Sequence, residues 1–284
     1  MNAVARIRIA ATGPCDHVAA FGTLAMHAVY GLHQLKADAA QLTRRVDVFG
    51  DSHQIWVRLD PGGVLLLTPT RDQAVNEEIA SRVRHWFDLD TDLAPVNAHL
   101  LRDPMFCEQV RSRPGIRITR FQAPFEAAVL TVLGQQVSLA AARLFAGRLV
   151  ASFGTAPARS HQESGLRDFP SPVALAAIPP DQLRAAIGLT RNRARTVSEV
   201  AAFFAGADDG EWVPSQLHTV YGIGPWTLDY LAIRADTDAD AFPVTDAVLR
   251  RTLAANAPDA DAARIASWSP YRSYAASRLW AQNL

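Results

Sequence analysis

Leu217-His218-Thr219-Val220-Tyr221-Gly222-Ile223-Gly224-Pro225-Trp226-Thr227-Leu228-Asp229-Tyr230-Leu231-Ala232-Ile233 is the stretch that decides the fold. An apolar-spaced helix runs into Gly222-Ile223-Gly224, and Pro225 stands where the first turn of a second helix begins. Proline suits that position because its missing N–H would be unpaired there anyway. Two glycines one residue apart allow a tight reversal that leaves backbone amides exposed. Amides at a helix N-terminus attract phosphate without needing a basic side chain. Taken alone, a Gly-x-Gly corner is equally a plain turn between two helices, so its neighbours have to arbitrate.

Downstream lies Phe242-Pro243-Val244-Thr245-Asp246-Ala247-Val248-Leu249-Arg250-Arg251, a short apolar stretch ending in a carboxylate that opens a helix. Aspartate is a preferred N-cap, and capping alone would account for Asp246. A capping carboxylate at the mouth of a cleft can also face a substrate, so the two roles are compatible. Asp236, Asp238 and Asp240, just upstream, read as a solvated acidic loop.

The rest of the chain divides in two. Arg6–Ala10, His53–Asp60 and Val64–Thr68 read as strands, the last two forming a hairpin about Asp60-Pro61-Gly62-Gly63. Helices are expected near Asp16–Leu35 and Gln73–Phe87. From Pro124 onward strand signals nearly vanish. Phe125–Phe153 is a long helical zone with Gly134 as its break, and Pro170, Pro172, Pro179-Pro180 and Gly206–Gly210 punctuate the helices after it. The expected architecture is α+β: an N-terminal mixed α/β domain over 1–112, then an all-α domain over 113–284, with the junction near Asp103–Arg120.

Composition excludes several classes. The 284 residues are 49% hydrophobic and 20% charged, ordinary for a folded chain long enough for two cores. No apolar run reaches the roughly 18 residues that a membrane span requires, and the N-terminus lacks the apolar core of a signal peptide. Cys15 and Cys107 stand far apart, outside any metal-binding spacing, which fits a reducing cytoplasm. The formal net charge is zero, unusual for a chain that grips nucleic acid, and Lys36 is the only lysine. A hairpin that binds phosphate through backbone amides removes this difficulty.

A hairpin of this form with Val244-Thr245-Asp246 one helix and one loop later resembles the helix-hairpin-helix DNA glycosylases, and specifically the bacterial DNA-3-methyladenine glycosylase II family. Trp268-Ser269-Pro270-Tyr271-Arg272-Ser273-Tyr274-Ala275 with Trp280 resembles that family's last helix, and Leu133-Gly134-Gln135-Gln136-Val137-Ser138 the helix after the junction. The similarity spans nearly the whole chain. It implies a TATA-binding-protein-like N-terminal domain and two helical subdomains flanking a cleft. It further implies Asp246 as the catalytic carboxylate, Trp226, Tyr230 and Trp280 as the walls of the base pocket, and Gly222, Ile223 and Gly224 as the DNA-backbone contact. The carbonyls of His218, Val220 and Ile223 would hold a structural sodium or potassium ion, with no other cofactor. Partners would be double-stranded DNA carrying alkylated bases, with no membrane, for a monomeric enzyme of the bacterial cytoplasm and nucleoid.

Departures from the family pattern bear on specificity. The apolar wedge that fills the gap left by a flipped base falls on Gln136, the residue after the catalytic aspartate is Ala247 rather than an aromatic, and the N-terminal cleft positions read as Thr23 and His27. The resemblance implies base flipping and then hydrolysis of the N-glycosidic bond, leaving an abasic site. Two readings compete with it: a helix-hairpin-helix protein that only holds DNA, and a bifunctional glycosylase/lyase. A lyase needs an amine to form a Schiff base. The position of the lyase lysine in bifunctional relatives is Trp226 here, and Lys36 lies in the other domain.

Overall fold

A computed structural model describes residues 5–156, 165–207, 212–236 and 238–283. The N-terminal part is a five-stranded antiparallel sheet in the order β1-β5-β4-β3-β2, built from β1 (Ala5–Ala10), β2 (His33–Lys36), β3 (Gln41–Val48), β4 (Asp51–Asp60) and β5 (Gly63–Thr68). The expected β4–β5 hairpin is present, with Asp60 paired to Gly63 across the turn. Helix α1 (His17–Met26) and helix α2 (Gln73–Trp86) supply the helical part of this domain. The helix expected over Asp16–Leu35 is corrected: it ends at Met26, and His33–Lys36 turns into an edge strand paired with β3. Strand β3 carries Arg44 and Arg45 on a buried stretch, and those charges concealed it from a hydrophobic pattern.

Beyond the sheet the described chain is helical, apart from an isolated bridge between Thr155 and Asp168. Short polar caps set most helix starts: Asp92 for α3 (Leu93–Leu100), Asp103 for α4 (Pro104–Ser112) and Ser138 for α6 (Leu139–Phe153). Each side chain accepts a first-turn N–H that has no partner within the helix. The long helical zone breaks as expected after Gly134, giving α5 (Pro124–Gly134) and α6. Helices α7 (Pro172–Ala176), α8 (Pro180–Ile187) and α9 (Arg191–Ala205) come next. Part of the Gly206–Gly210 break lies outside the described residues.

Three cores result. One lies between sheet and α2, one among α5 to α9, and a third joins Leu93, Leu100 and Phe106 of α3 and α4 to Ile233, Leu249, Trp268 and Leu279 near the C-terminus. Packing therefore departs from the chain division at residue 112, because α3 and α4 side with the last helices.

Arginine joins these units. Arg44 of β3 makes a two-pronged ion pair with Glu126 of α5, at 3.1 and 2.7 Å, with both side chains buried. Arg120 reaches Asp88, which also accepts from the Tyr274 hydroxyl, and Arg264 pairs with Asp103. The Arg264 hydrogen bonds hold the Asp103 carboxyl down at about 2 despite its burial. Planar guanidinium suits such fixed, buried pairing better than ammonium. Much of the arginine content is thus structural, which fits an arginine-rich chain of zero net charge.

Candidate active site and nucleic-acid interface

The signature stretch forms a 3-10 turn (Pro214–Thr219), a loop through Gly222–Gly224, and helix α10 (Pro225–Arg234). The first arm, expected as an α-helix, is the tighter 3-10 form. Gly222 has φ +79°, and a Cβ there would lie 2.6 Å from Thr196 Oγ1, so backbone and packing both require glycine. Gly224 caps α10 in an ordinary extended conformation, with nothing within 4 Å of a hypothetical Cβ. No neighbour within the fold explains the missing side chain at Gly224. Helix α9 braces the loop: Glu199 Oε2 accepts the Tyr221 N–H at 3.0 Å, and the Arg195 guanidinium lies 4.2 Å from the Tyr221 ring centroid.

Helix α11 (Ala247–Asn256) begins beside this hairpin, and Asp246 is its N-cap. Asp246 Oδ1 accepts the N–H groups of Val248 and Leu249, each at 3.0 Å, and the indole N–H of Trp280 at 3.2 Å. Oδ2 accepts the indole N–H of Trp226 at 3.0 Å. Capping needs only the first two donors. The indoles, from α10 and from α13 (Arg272–Ala281), the last helix after α12 (Ala262–Ala266), add two more to a side chain in a residue that is 7% exposed. Four N–H donors thus converge on the two oxygens of this side chain.

Three aromatic rings surround this carboxylate. Trp226 stacks on Tyr230 with centroids 5.3 Å apart, and Tyr230 meets Trp280 edge-on at 5.6 Å. All three line a cleft of about 1070 Å³ with Asp246, Gln136, Gly222 and Gly224 on its walls. Thr23 and His27 reach it from α1 and its C-cap, so both domains contribute. Burial first, then the charges of Arg234 and Arg143, push the His27 imidazole down to about 3. Burial raises the Tyr230 hydroxyl, with Arg234 acting in the opposite sense.

Gln136 sits at the exposed tip of the α5–α6 turn with φ +54°. Its neighbour Gln135 was not singled out from sequence. Gln135 Nε2 donates to the Gly222 carbonyl at 3.1 Å and to Thr227 Oγ1 at 2.9 Å, and its carbonyl accepts from Arg193. The turn carrying Gln136 is therefore fastened to the hairpin. Arg234, also missed, comes after Trp226 and Tyr230 at the same four-residue spacing, and that spacing was the available signal.

His218, expected at the hairpin, is exposed, and its ring Nδ1 lies 2.8 Å from the Ser215 carbonyl. The Val220 carbonyl accepts the Ile223 N–H at 3.1 Å. Among the described residues no cluster of three or more His, Cys, Asp or Glu side chains could hold a metal ion, and no helix is long and apolar enough to cross a membrane.

Fold and site together define a helix-hairpin-helix protein with an aspartate set among aromatic rings in an interdomain cleft. Two family models match it: the AlkA N-terminal domain over residues 6–122, and the HhH-GPD superfamily base excision DNA repair protein over 129–259. It is 30% identical over 215 residues to DNA-3-methyladenine glycosylase 2 of Escherichia coli, covering 73% of each chain. It is 33% identical over 297 residues to a Mycobacterium tuberculosis protein named "Probable bifunctional transcriptional activator/DNA repair enzyme AlkA". That match takes in 96% of this chain but 56% of the relative, so the chain spans about half the length of this longer protein. The fold matches a 3-methyladenine DNA-glycosylase from Archaeoglobus fulgidus with a TM-score of 0.79 at 16% identity, covering 98% and 97% of the two chains. The chain belongs to the helix-hairpin-helix base excision DNA repair superfamily.

Proposed function

We propose that the protein is a monofunctional DNA glycosylase that flips alkylated purines of the 3-methyladenine and 7-methylguanine type out of duplex DNA and hydrolyses their glycosidic bond. The observation that carries this is the pair of indole N–H groups fixing both oxygens of Asp246 on the cleft wall. A helix cap has no use for them, and a protein that merely holds DNA needs no carboxylate among aromatic faces.

Grip, flipping and bond cleavage fall to different residues. The Gly222–Gly224 amides and the α10 N-terminus grip phosphate. The carbonyl oxygens of His218, Val220 and Ile223 are hard neutral donors close together in sequence and would hold a sodium or potassium ion, whose charge would add to that grip. Gln136 occupies the gap left by the flipped nucleotide, held at the hairpin through Gln135. Flipping costs a few kcal/mol, least for a damaged pair. Ring faces of Trp226, Tyr230 and Trp280 attract a cationic base by roughly 0.5–2 kcal/mol. As the C1′–N bond breaks, its electron pair neutralises the base, and the sugar takes on positive charge. Asp246 stabilises that charge while water adds to C1′ and releases its proton to solvent.

Mass spectrometry of bases freed from methylated genomic DNA tests this directly. Release of 3-methyladenine or 7-methylguanine, many per protein molecule, is expected. Tight DNA binding with no base released would leave the binding protein as the better description.

A further inference from the structure

The cleft has two ends of opposite character. Near Asp246 it is aromatic and acidic. At the other end, one helical turn beyond Tyr230, stands Arg234, which is 6% exposed and lines the cleft together with His27 and Phe121. Its guanidinium carbon lies 5.6 Å from the Phe121 ring centroid and 6.0 Å from that of Tyr230. Its guanidinium bonds to the Tyr230 hydroxyl, while its Nε is buried with no hydrogen-bond partner. Among the described residues no carboxylate lies within ion-pair distance of it, in contrast to Arg44, Arg45 and Arg120, each of which has one. A mostly buried guanidinium that lines the cleft without a carboxylate partner keeps its charge available to an anion inside the cleft.

A flipped base with its sugar beside Asp246 and its rings among Trp226, Tyr230 and Trp280 directs its far edge toward this end. The chemistry of departure then depends on the base. A cationic base leaves neutral and gains nothing from a nearby positive charge. A neutral base leaves with the electron pair of the C1′–N bond and becomes an anion, whose charge concentrates on its oxygens. A buried guanidinium stabilises that anion and repels a cation in the same place.

Resting on the glycosylase reading, we propose that Arg234 stabilises the departing base when it is a neutral purine bearing an oxo group at its buried edge, hypoxanthine being the simplest, and so extends the cleft to uncharged lesions. Arginine's planar guanidinium carries a fixed positive charge and donors that suit the oxygen of a departing anion. The neutral His27 imidazole beside it adds no competing charge.

The test compares two single-turnover rates on the full chain: hypoxanthine from a duplex oligonucleotide, and 3-methyladenine from methylated DNA. Arg234→Met should lower the hypoxanthine rate by about 10²-fold, the usual effect of removing one well-placed electrostatic donor, with the 3-methyladenine rate unchanged or higher. Arg234→Lys keeps the charge and should hold the ratio of the two rates within about tenfold of the parent. Poor folding lowers both rates together and leaves the ratio intact, so the ratio reports on the role itself. An unchanged ratio in Arg234→Met, or no hypoxanthine release by the parent while 3-methyladenine is excised, overturns the inference. Release of neither base counts against the glycosylase reading instead.

Discussion

The indole N–H of Trp226 donates to Oδ2 of Asp246 at 3.0 Å, twenty residues away in sequence, while the ring of the same tryptophan stacks on Tyr230. One side chain thus serves both the carboxylate and the aromatic wall of the cleft, and Trp280 does the same through Oδ1. Replacing either residue with leucine removes two contributions at once, whereas phenylalanine keeps the ring face and loses only the N–H. Trp226→Phe and Trp280→Phe should each slow excision by roughly tenfold to a hundredfold, the worth of a hydrogen bond to a charged group, and equally for cationic and neutral bases. The leucine variants should add a selective loss on 7-methylguanine of about 0.5–2 kcal/mol. Parallel rates for all four variants on 7-methylguanine and hypoxanthine substrates check this; identical Phe and Leu profiles would reduce the rings to packing.

The two hairpin glycines should separate fold from binding. Gly222→Ala places a Cβ against Thr196 at positive φ and should lower the melting temperature as well as DNA affinity. Gly224→Ala meets no neighbour within 4 Å and an ordinary backbone conformation, so its melting temperature should stay within a degree or so of the parent. Its affinity for undamaged and lesion duplexes should nonetheless fall, because the Cβ would stand where phosphate approaches. Thermal melts with fluorescence anisotropy decide; full affinity in folded Gly224→Val makes the loop a structural corner. The salt dependence should also be shallow, at about −0.9 in the log–log slope for each phosphate neutralised.

No Schiff base should form. Lys36 is on the edge strand β2, outside the cleft-lining residues, and the chain has no other lysine. Borohydride treatment with abasic or lesion DNA should trap no covalent adduct, and the abasic strand should remain uncut. A robust adduct would reassign the enzyme as bifunctional.

Acid should loosen the interdomain cleft. Burial and nearby arginines depress His27 to about 3 and carry His33 well below the usual imidazole range. Both are held neutral in the fold, while in the unfolded chain they titrate near 6.5. The unfolded state therefore binds more protons below that pH, and stability present above it is lost as pH falls toward the folded values. Each group contributes at most about 1.4 kcal/mol per pH unit. Melting temperatures from pH 7.5 down to pH 5 should decline, and His27→Asn should flatten the decline; an identical slope in that variant would refute the assignment.

Features with local signals were legible in the sequence. The β4–β5 hairpin, the break after Gly134 and the hairpin beside Asp246 each rest on turn residues or caps a few positions apart. Strand β3 escaped notice because Arg44 and Arg45 are buried by partners on α5 and in the loop near Asp168, far along the chain. The same holds for the indole–carboxylate bonds and for Gln135, whose roles exist only once α5, α10 and α13 are brought together. Asp240, expected to be solvated, is instead paired with Arg272 and accepts from Ser269, which draws its carboxyl below the ordinary range against the opposing effect of burial.

Asp246→Asn is the decisive substitution, and the structure sharpens its expected outcome. Asparagine caps helices as well as aspartate does, so its oxygen can take over the Oδ1 bonds to Val248, Leu249 and Trp280. Its amide nitrogen then faces the Trp226 N–H, donor against donor, where Oδ2 had accepted. A buried donor left unmatched costs about 1–3 kcal/mol, so the variant should melt several degrees lower yet remain folded. Excision should fall by at least about 10²–10³, because the charge beside the developing oxocarbenium is gone. DNA affinity should hold or rise slightly with one anion fewer near phosphate. Asp240 is a poor control, given its part-buried ion pair with Arg272; Asp181, whose side chain is 84% exposed and in only a 3.4 Å surface contact with Arg184, is a better one, and Asp181→Asn should be nearly silent. Near-normal release of bases from methylated DNA by Asp246→Asn, with its fold confirmed by circular dichroism, would return Asp246 to the role of a helix cap.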